Sequence, residues 1–308
     1  MAEKKVCMDK NMKTVRNIGR WTAAAVGIAA GLFLAVAVHA QMQGPPSLAE
    51  IQEYQNQELP SSGTQPEDEG SACEGTEPAE MQPVLESVEA LEPGTVLDAS
   101  ELDTFHISRY FTAREIQEGD AVYQRIIGKS YRENPDIGLE QLRYLTMLHY
   151  NFEEQIQVGE MIVNEAIAQD VLDIFRRLFE NRYQIQSMYL VDNYWTGDGN
   201  STDTASIDAN NTSAFNYRPI TGGGKLSNHA YGRAIDVNPQ QNPYVWHNGA
   251  GGLEWSHSNA DGYIDRTSGA AHMITHEDIC YQIFAEYGFG WGGDWSDPID
   301  YQHFEKKY

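Results

Sequence analysis

Two residues of kinds that bind metal ions, His229 and Asp236, lie close together in the stretch Phe215–Asn238. Side chains alternate along an extended strand, so their offset of seven places them on opposite faces. At about 3.3 Å per residue they would also lie roughly 23 Å apart. They can share one metal ion only if the chain folds back between them, and Gly232 is the residue that permits such a bend. The alternation after the bend predicts a half-buried strand with a polar face.

The segment Asp300–Glu305 offers a third ligand. His303 completes a set of two histidines and one carboxylate and leaves a fourth position for water, as catalytic zinc sites do. Asp300 precedes His303 by three residues and could act as a general base toward that water. The same donor set occurs in non-haem iron oxygenases. Those enzymes usually carry the first histidine and the acid in a close H-x-D on one strand, so the wider offset here favours zinc.

These residues lie in motifs that resemble a known family. LSNHAYGRAIDVNP contains the SxHxxGxAxD signature of the M15 metallopeptidases, the D-alanyl-D-alanine carboxypeptidase and dipeptidase group, and DYQH matches the later [ED]xxH of that family. The flanking stretches NNTSAFNYRPITGG and YGFGWGGDWSDPIDYQHFE are also similar, and the resemblance covers about residues 105–308. It implies one zinc ion per chain, bound by His229, Asp236 and His303, with Asp300 as the base.

The resemblance implies further site residues. In the family an arginine near the position of Arg218 is thought to stabilise the scissile carbonyl oxygen, a task suited to a permanently charged, planar guanidinium. Ser227 matches the serine of the signature, and we expect it to contact the substrate or to support a ligand. Tyr217, Trp291 and Trp295 are further candidates for substrate contacts, although each is as readily explained as a packing residue.

The function that the resemblance implies is a zinc peptidase acting on peptidoglycan stem peptides, in the first place a D-alanyl-D-alanine carboxypeptidase. Two alternatives are an endopeptidase of the same family and a non-catalytic, zinc-containing wall-binding module. An intact Asp300 beside intact ligands favours an enzyme over a binding module. The family's dipeptidases carry Glu at the position of Asp300, which argues against a free dipeptide as the substrate.

Charge is distributed unevenly along the chain, whose net charge is −24. Residues 1–20 carry six Lys or Arg and two acidic residues, whereas residues 41–104 carry fifteen acidic residues and no Lys or Arg. Because no segment forms a basic stripe, the composition excludes a general nucleic-acid-binding protein. It does not indicate an oligomeric state.

Residues 21–40 form an apolar run without a Lys, Arg, Asp or Glu. As a helix this run would be about 30 Å long, which matches the apolar core of a bilayer. The basic residues before it predict a cytoplasmic tail over residues 1–20. A retained transmembrane helix is favoured over a signal peptide cut after Val38-His39-Ala40, because the apolar run is long.

The remaining sequence predicts an acidic tether followed by one folded domain. Residues 41–104 are rich in proline and acid and nearly free of aromatic residues, which predicts a disordered tether. Residues 105–308 predict a single α+β domain with a small, mostly antiparallel sheet. The predicted elements are helices from the Thr112–Glu115 capping box, from Asp120 to Gly128, after Asn164, and from the Thr275–Asp278 box to Gly288; strands over 142–152, 155–163, 183–191 and Asp300–Glu305; a loop over 193–214; and an irregular stretch over 240–271.

We expect the chain to stay in the lipid bilayer through residues 21–40, with its peptidase domain outside the cell membrane, because the basic flank precedes the apolar run. Fractionation of cells followed by N-terminal sequencing checks this. Recovery of a released protein that begins at Gln41 would show instead that the segment is a cleaved signal.

Overall fold

The computed structural model describes residues 84–307. The predicted tail, the apolar run and the tether before residue 84 lie outside the described residues. Within residues 84–307, no helix combines the length and the apolar character needed to cross a membrane.

The described chain contains ten strands and four α-helices. The strands are β1 Val96–Leu97, β2 Thr112–Glu115, β3 Leu142–Tyr150, β4 Ile156–Asn164, β5 Ala234–Asp236, β6 Tyr244–His247, β7 Leu253–Trp255, β8 Gly290–Trp291, β9 Ile299–Asp300 and β10 His303–Glu305. The helices are α1 Ala121–Ile126, α2 Glu165–Glu180, α3 Gly199–Asp208 and α4 Ile279–Glu286. Short 3-10 turns connect several of them, including Asn228–Tyr231 and Gly292–Asp294.

The strands form three small antiparallel sheets, with strand orders β1-β4-β3-β2, β5-β10-β8 and β7-β6-β9. This confirms the α+β class and the antiparallel pairing, whereas the expectation of one sheet is wrong. Three sheets form because the strands after residue 233 are only two to four residues long and pair among themselves.

Helix α2 covers the largest sheet. Asn164 caps it by accepting a hydrogen bond from the amide of Ala166, as the sequence predicts. Apolar residues at helical spacing are buried on one face, which packs against β3. The main core cluster unites this helix with residues of α4, β5 and β10, so the sheet that carries the candidate ligands is anchored on the body of the domain.

The folded chain begins earlier than predicted. Strand β1 pairs with β4, Val88 is fully buried and Leu102 is nearly so. The predicted tether boundary at residue 104 is therefore wrong. Isolated apolar residues in a proline-rich and acidic stretch gave no periodic signal, yet they pack against a sheet edge formed by distant residues.

Several predicted elements also differ from the structure, among them the strand predicted over Asp300–Glu305, which is two short strands, β9 and β10, in different sheets. Thr112–Glu115 is a strand on β3 rather than the start of a helix, because its hydrogen bonds go to a long neighbouring strand. Residues 183–191 form no strand; their hydrogen bonds are divided among Tyr150, Glu160 and Asn211. The loop predicted over 193–214 contains α3, and the irregular stretch over 240–271 contains the β6–β7 hairpin. Helix α4 is capped by Asp278 rather than Thr275.

His149 on β3 should make the fold sensitive to acid. Its ring is buried, its Nδ1 donates to the carbonyl of Ile185 (2.9 Å), and its Nε2 has no partner among the described residues. Burial lowers the pKa of His149 from 6.5 to about 4. As the pH falls, the unfolded chain therefore binds a proton at this histidine before the folded chain does. The free energy of unfolding is unaffected above about pH 6.5 and decreases between about pH 6.5 and pH 4, by up to about 3 kcal/mol.

His149→Gln removes this titration and keeps a donor for Ile185. Urea denaturation at several pH values between 7 and 4 should show a shallower loss of unfolding free energy in the variant than in the wild type. Parallel curves would mean that His149 does not contribute.

Candidate metal centre

The turn that carries His229 is held at both ends. At its start the Ser227 hydroxyl accepts a hydrogen bond from the amide of His229 (3.3 Å). At its end Gly232 adopts a left-handed conformation with φ of 64°. Its carbonyl accepts from the amide of Asn164 (2.8 Å), and a Cβ on Gly232 would lie 2.6 Å from that nitrogen. Only glycine satisfies both the conformation and the space, so the expected bend between the two ligands is present.

The pairing of β5 with β10 brings the second and third ligands together. Asp236 lies directly opposite His303 in this antiparallel pair. On its other side Asp236 exchanges backbone hydrogen bonds with Ser213 (2.9 and 3.1 Å). Strand β5 is buried throughout, so the prediction of a half-buried strand is wrong, because the chain covers its polar face as well.

The three predicted ligands converge. His229 Nε2 lies 3.2 Å from Asp236 Oδ2, His303 Nδ1 lies 3.0 Å from Asp236 Oδ1, and the two ring nitrogens are 3.2 Å apart. All three side chains are buried, and one donor atom from each lies within 4.8 Å of the others. Two imidazoles and a carboxylate at this spacing form a donor set that suits zinc.

The outer nitrogen of each imidazole has its own acceptor. His229 Nδ1 donates to the carbonyl of Ala214 (2.6 Å), and His303 Nε2 donates to Glu305 Oε2 (3.3 Å). These partners fix the orientation of each ring, so that His229 Nε2 and His303 Nδ1 face the shared centre. Glu305 was missed in the sequence, although its spacing of two from His303 on one strand places both on the same face.

The electrostatics of the cluster favour a cation at its centre. Burial raises the pKa of Asp236, but His229 and His303 more than offset this effect and hold it well below its usual range. For His303, burial alone would lower the pKa, but its bonds to Asp236 and Glu305 outweigh burial and raise the pKa to about 10. The bond from His303 is the main reason that the pKa of Glu305 falls to about 2. The site thus stabilises positive charge among its carboxylates, which fits a divalent ion.

Asp300 on β9 lies beside this cluster as a buried carboxyl group. Its Oδ1 has no hydrogen-bond partner among the described residues. Burial raises the pKa of Asp300 to about 7, and the nearby Asp236 adds to the rise. Gly292 allows the close approach, since a Cβ there would lie 2.5 Å from the Asp300 carbonyl oxygen and 3.2 Å from the Cβ of His303.

Arg218 is held in place by a residue that the sequence reasoning missed. Its guanidinium forms an ion pair with Asp203 on α3 (2.7 Å), and both side chains are largely buried. Its backbone carbonyl accepts from the amide of Ser227 (3.1 Å), which joins it to the turn of His229. The Nε atom of Arg218 has no partner in the described part of the chain. Asp203 gave no signal because its segment resembled a polar loop.

The remaining predicted site residues have different surroundings in the structure. Ser227 caps the turn of His229, which makes it a positioning residue. Tyr217 packs in the second core cluster and donates its hydroxyl to Asp136 (2.6 Å), and Trp291 is buried and donates to the carbonyl of Tyr301 (2.8 Å). Both therefore have packing roles rather than the predicted substrate contacts. Trp295 is 36% exposed with its ring centre 5.2 Å from that of His303, so it can contact a bound molecule.

One comparison with known proteins gives a match. Residues 221–306 match an M15 peptidase family model described as D-alanyl-D-alanine carboxypeptidase. The match includes the three candidate ligands and Asp300, but it begins after Arg218. It supports an M15 family peptidase. No curated protein and no solved structure matches the chain.

Replacing Glu305 should weaken the metal site without removing a ligand. In Glu305→Ala the outer nitrogen of His303 loses its acceptor, and zinc affinity should fall about 10- to 100-fold. A competition titration against a chromophoric chelator measures this. Glu286→Ala, which removes an exposed partner of Arg177, is the matched control and should bind zinc as the wild type does. Equal affinities in the two variants would contradict the assigned role of Glu305.

Proposed function

We propose that this chain is a zinc-dependent D-alanyl-D-alanine carboxypeptidase that acts on peptidoglycan stem peptides. The observation that carries the proposal is the buried cluster of His229, Asp236 and His303 beside the buried, unpartnered carboxyl of Asp300. All four residues lie in the stretch that matches the M15 model. The match supports a peptidase acting on peptidoglycan, and the zinc dependence and the bond cleaved are our inference.

His229, Asp236 and His303 would hold the zinc ion through His229 Nε2, an Asp236 oxygen and His303 Nδ1. When bound, such an ion acts as a Lewis acid and lowers the pKa of water. The bonds from the outer ring nitrogens to Ala214 and Glu305 keep His229 Nε2 and His303 Nδ1 facing the centre before the ion arrives, and a proton held on either of these two nitrogens must leave for the ion to bind.

Asp300 is the proton carrier in this proposal. A carboxyl group with a pKa of about 7 can accept a proton from the attacking water and return it to the leaving amine near neutral pH. The Oδ1 atom is available for this task, because it has no partner among residues 84–307. The closeness that Gly292 permits keeps the carboxyl beside His303.

Arg218 is proposed to stabilise the oxygen of the scissile carbonyl as charge develops on it. The ion pair with Asp203 fixes the guanidinium, so little ordering is needed when the substrate binds. Trp295 is proposed to form a wall of the cleft, since its ring lies next to His303 and is partly exposed.

An exopeptidase must recognise a free carboxylate at the end of the stem. Arg218, Lys225 and Arg233 place positive charge around the motif, which suits that anion. An endopeptidase of the same family would need no such anchor. We further propose that the domain is anchored in the membrane through residues 21–40, near newly made chains that still end in D-Ala-D-Ala.

A pair of substrates tests the proposal. A muropeptide with a free pentapeptide stem should lose one D-Ala, whereas the same stem with an amidated C-terminus should react little. Mass spectrometry of the products measures both. Asp300→Ala should bind zinc but react about 10²- to 10⁴-fold more slowly with the free stem, because its general base is missing. Equal cleavage of the two stems would favour the endopeptidase, and no cleavage of either would refute the peptidase.

A further inference from the structure

The third sheet places two aromatic residues in line with Asp300. In its register Tyr244 on β6 lies directly opposite Asp300 on β9, and Trp246 lies opposite Glu254 on β7. Residues that face each other across antiparallel strands share a face, as do residues two apart on one strand. One face of the sheet therefore carries Asp300, Tyr244, Trp246 and Glu254.

This row runs from the candidate active site to the surface. Asp300 is buried with its Oδ1 unpartnered among the described residues, Tyr244 and Trp246 are half-buried, and Glu254 is exposed. The two ring centres are 5.9 Å apart. On the opposite face Val245 is 1% exposed, so that face is packed and the row is held firmly.

The segment of the chain that carries the row is strongly acidic in sequence. Residues 240–300 contain nine Asp or Glu and a single Lys or Arg, which is Arg266. The Arg266 guanidinium lies over the ring of Tyr301 (4.2 Å) and donates to the carbonyls of Gln241 and Ile274, so its charge is engaged elsewhere. Glu254 accepts a hydrogen bond from Asn248 (3.1 Å) and forms no ion pair with any described residue. Aromatic faces flanked by carboxylates form a site for an ammonium group.

We propose that Tyr244, Trp246 and Glu254 form a substrate subsite that binds a free side-chain ammonium group of the stem peptide. Peptidoglycan stems contain a diamino acid, and its side-chain amine is free before cross-linking. The identity of this ligand rests on the proposed function, whereas the preference for a cation rests on the row itself. The subsite would direct the enzyme to stems that are not yet cross-linked.

A sugar ring of the glycan strand fits the row less well. Sugars stack on aromatic rings and their hydroxyls can donate to carboxylates, but an uncharged ring gains no Coulomb attraction from the carboxylates at the two ends of the row. The cation is therefore the occupant that uses both features.

Two peptides that differ only at this amine test the subsite. Stem pentapeptides with the free and with the acetylated side-chain amine are titrated into the full chain by calorimetry, with a metal chelator present so that neither is cut. The wild type should bind the free amine about tenfold more tightly. Trp246→Leu and Glu254→Gln should bring the two Kd values to within about twofold of each other. Trp255→Leu is the matched control, because Trp255 pairs with Val245 on the opposite face, and it should keep the wild-type ratio.

The outcomes separate this inference from the proposed function. Equal Kd values in the wild type overturn the subsite, as does a ratio that survives in Trp246→Leu. Affinity that falls equally for both peptides in Trp246→Leu means that the rings pack on the ligand without recognising the amine, which also overturns it. If the ratio behaves as expected but no peptide is cut once zinc is restored, the subsite stands and the assigned reaction fails.

Discussion

The pairing of Asp236 with His303 across β5 and β10 is the constraint on which the site depends. Side chains alternate along each strand, so a shift of one residue in this register would turn His303 away from Asp236. The same register places Glu305 on the face of His303, where it holds the outer ring nitrogen. One backbone alignment thus fixes two ligands and the group that orients one of them, while β5 and β10 remain anchored in the main core through Ile235 and Phe304.

Burying three carboxylates together is costly, and the structure shows what offsets the cost. Asp236 contacts two histidines, and Glu305 is bonded by His303, by Asn228 and by Lys307 (2.7 Å). Asp300 has the least support, and its raised pKa is the physical consequence. Among these three carboxyl groups, Asp300 is therefore the one that can gain and lose its proton near neutral pH, which is the property that its proposed role requires.

The convergence of His229, Asp236 and His303 could be predicted from the sequence because each lies in a local motif whose chemistry limits the choice of residue. Gly232 was predictable for the same reason, since ligands seven apart require a bend. Asp203 could not be predicted, because α3 buries small polar residues and has no apolar stripe. For Tyr217 and Trp291 the sequence left packing and substrate contact equally open, because the type of an aromatic residue does not show whether its ring faces the core or a cleft. The second and third sheets depend on pairings between strands of two to four residues, and such short strands leave almost no periodic signal.

The candidate ligands and Asp300 come from different sheets, and this division limits how the site can vary. Asp236 and His303 lie in the second sheet, Asp300 lies in the third, and Gly292 passes close to both His303 and Asp300. A side chain at residue 292 would push the two sheets apart. Asp300 therefore stays beside the candidate ligands only while this position is glycine. Substitutions farther along the third sheet are not limited by the close packing at Gly292. Residues on β6 and β7 can therefore vary while Asp300 keeps its place beside the candidate ligands.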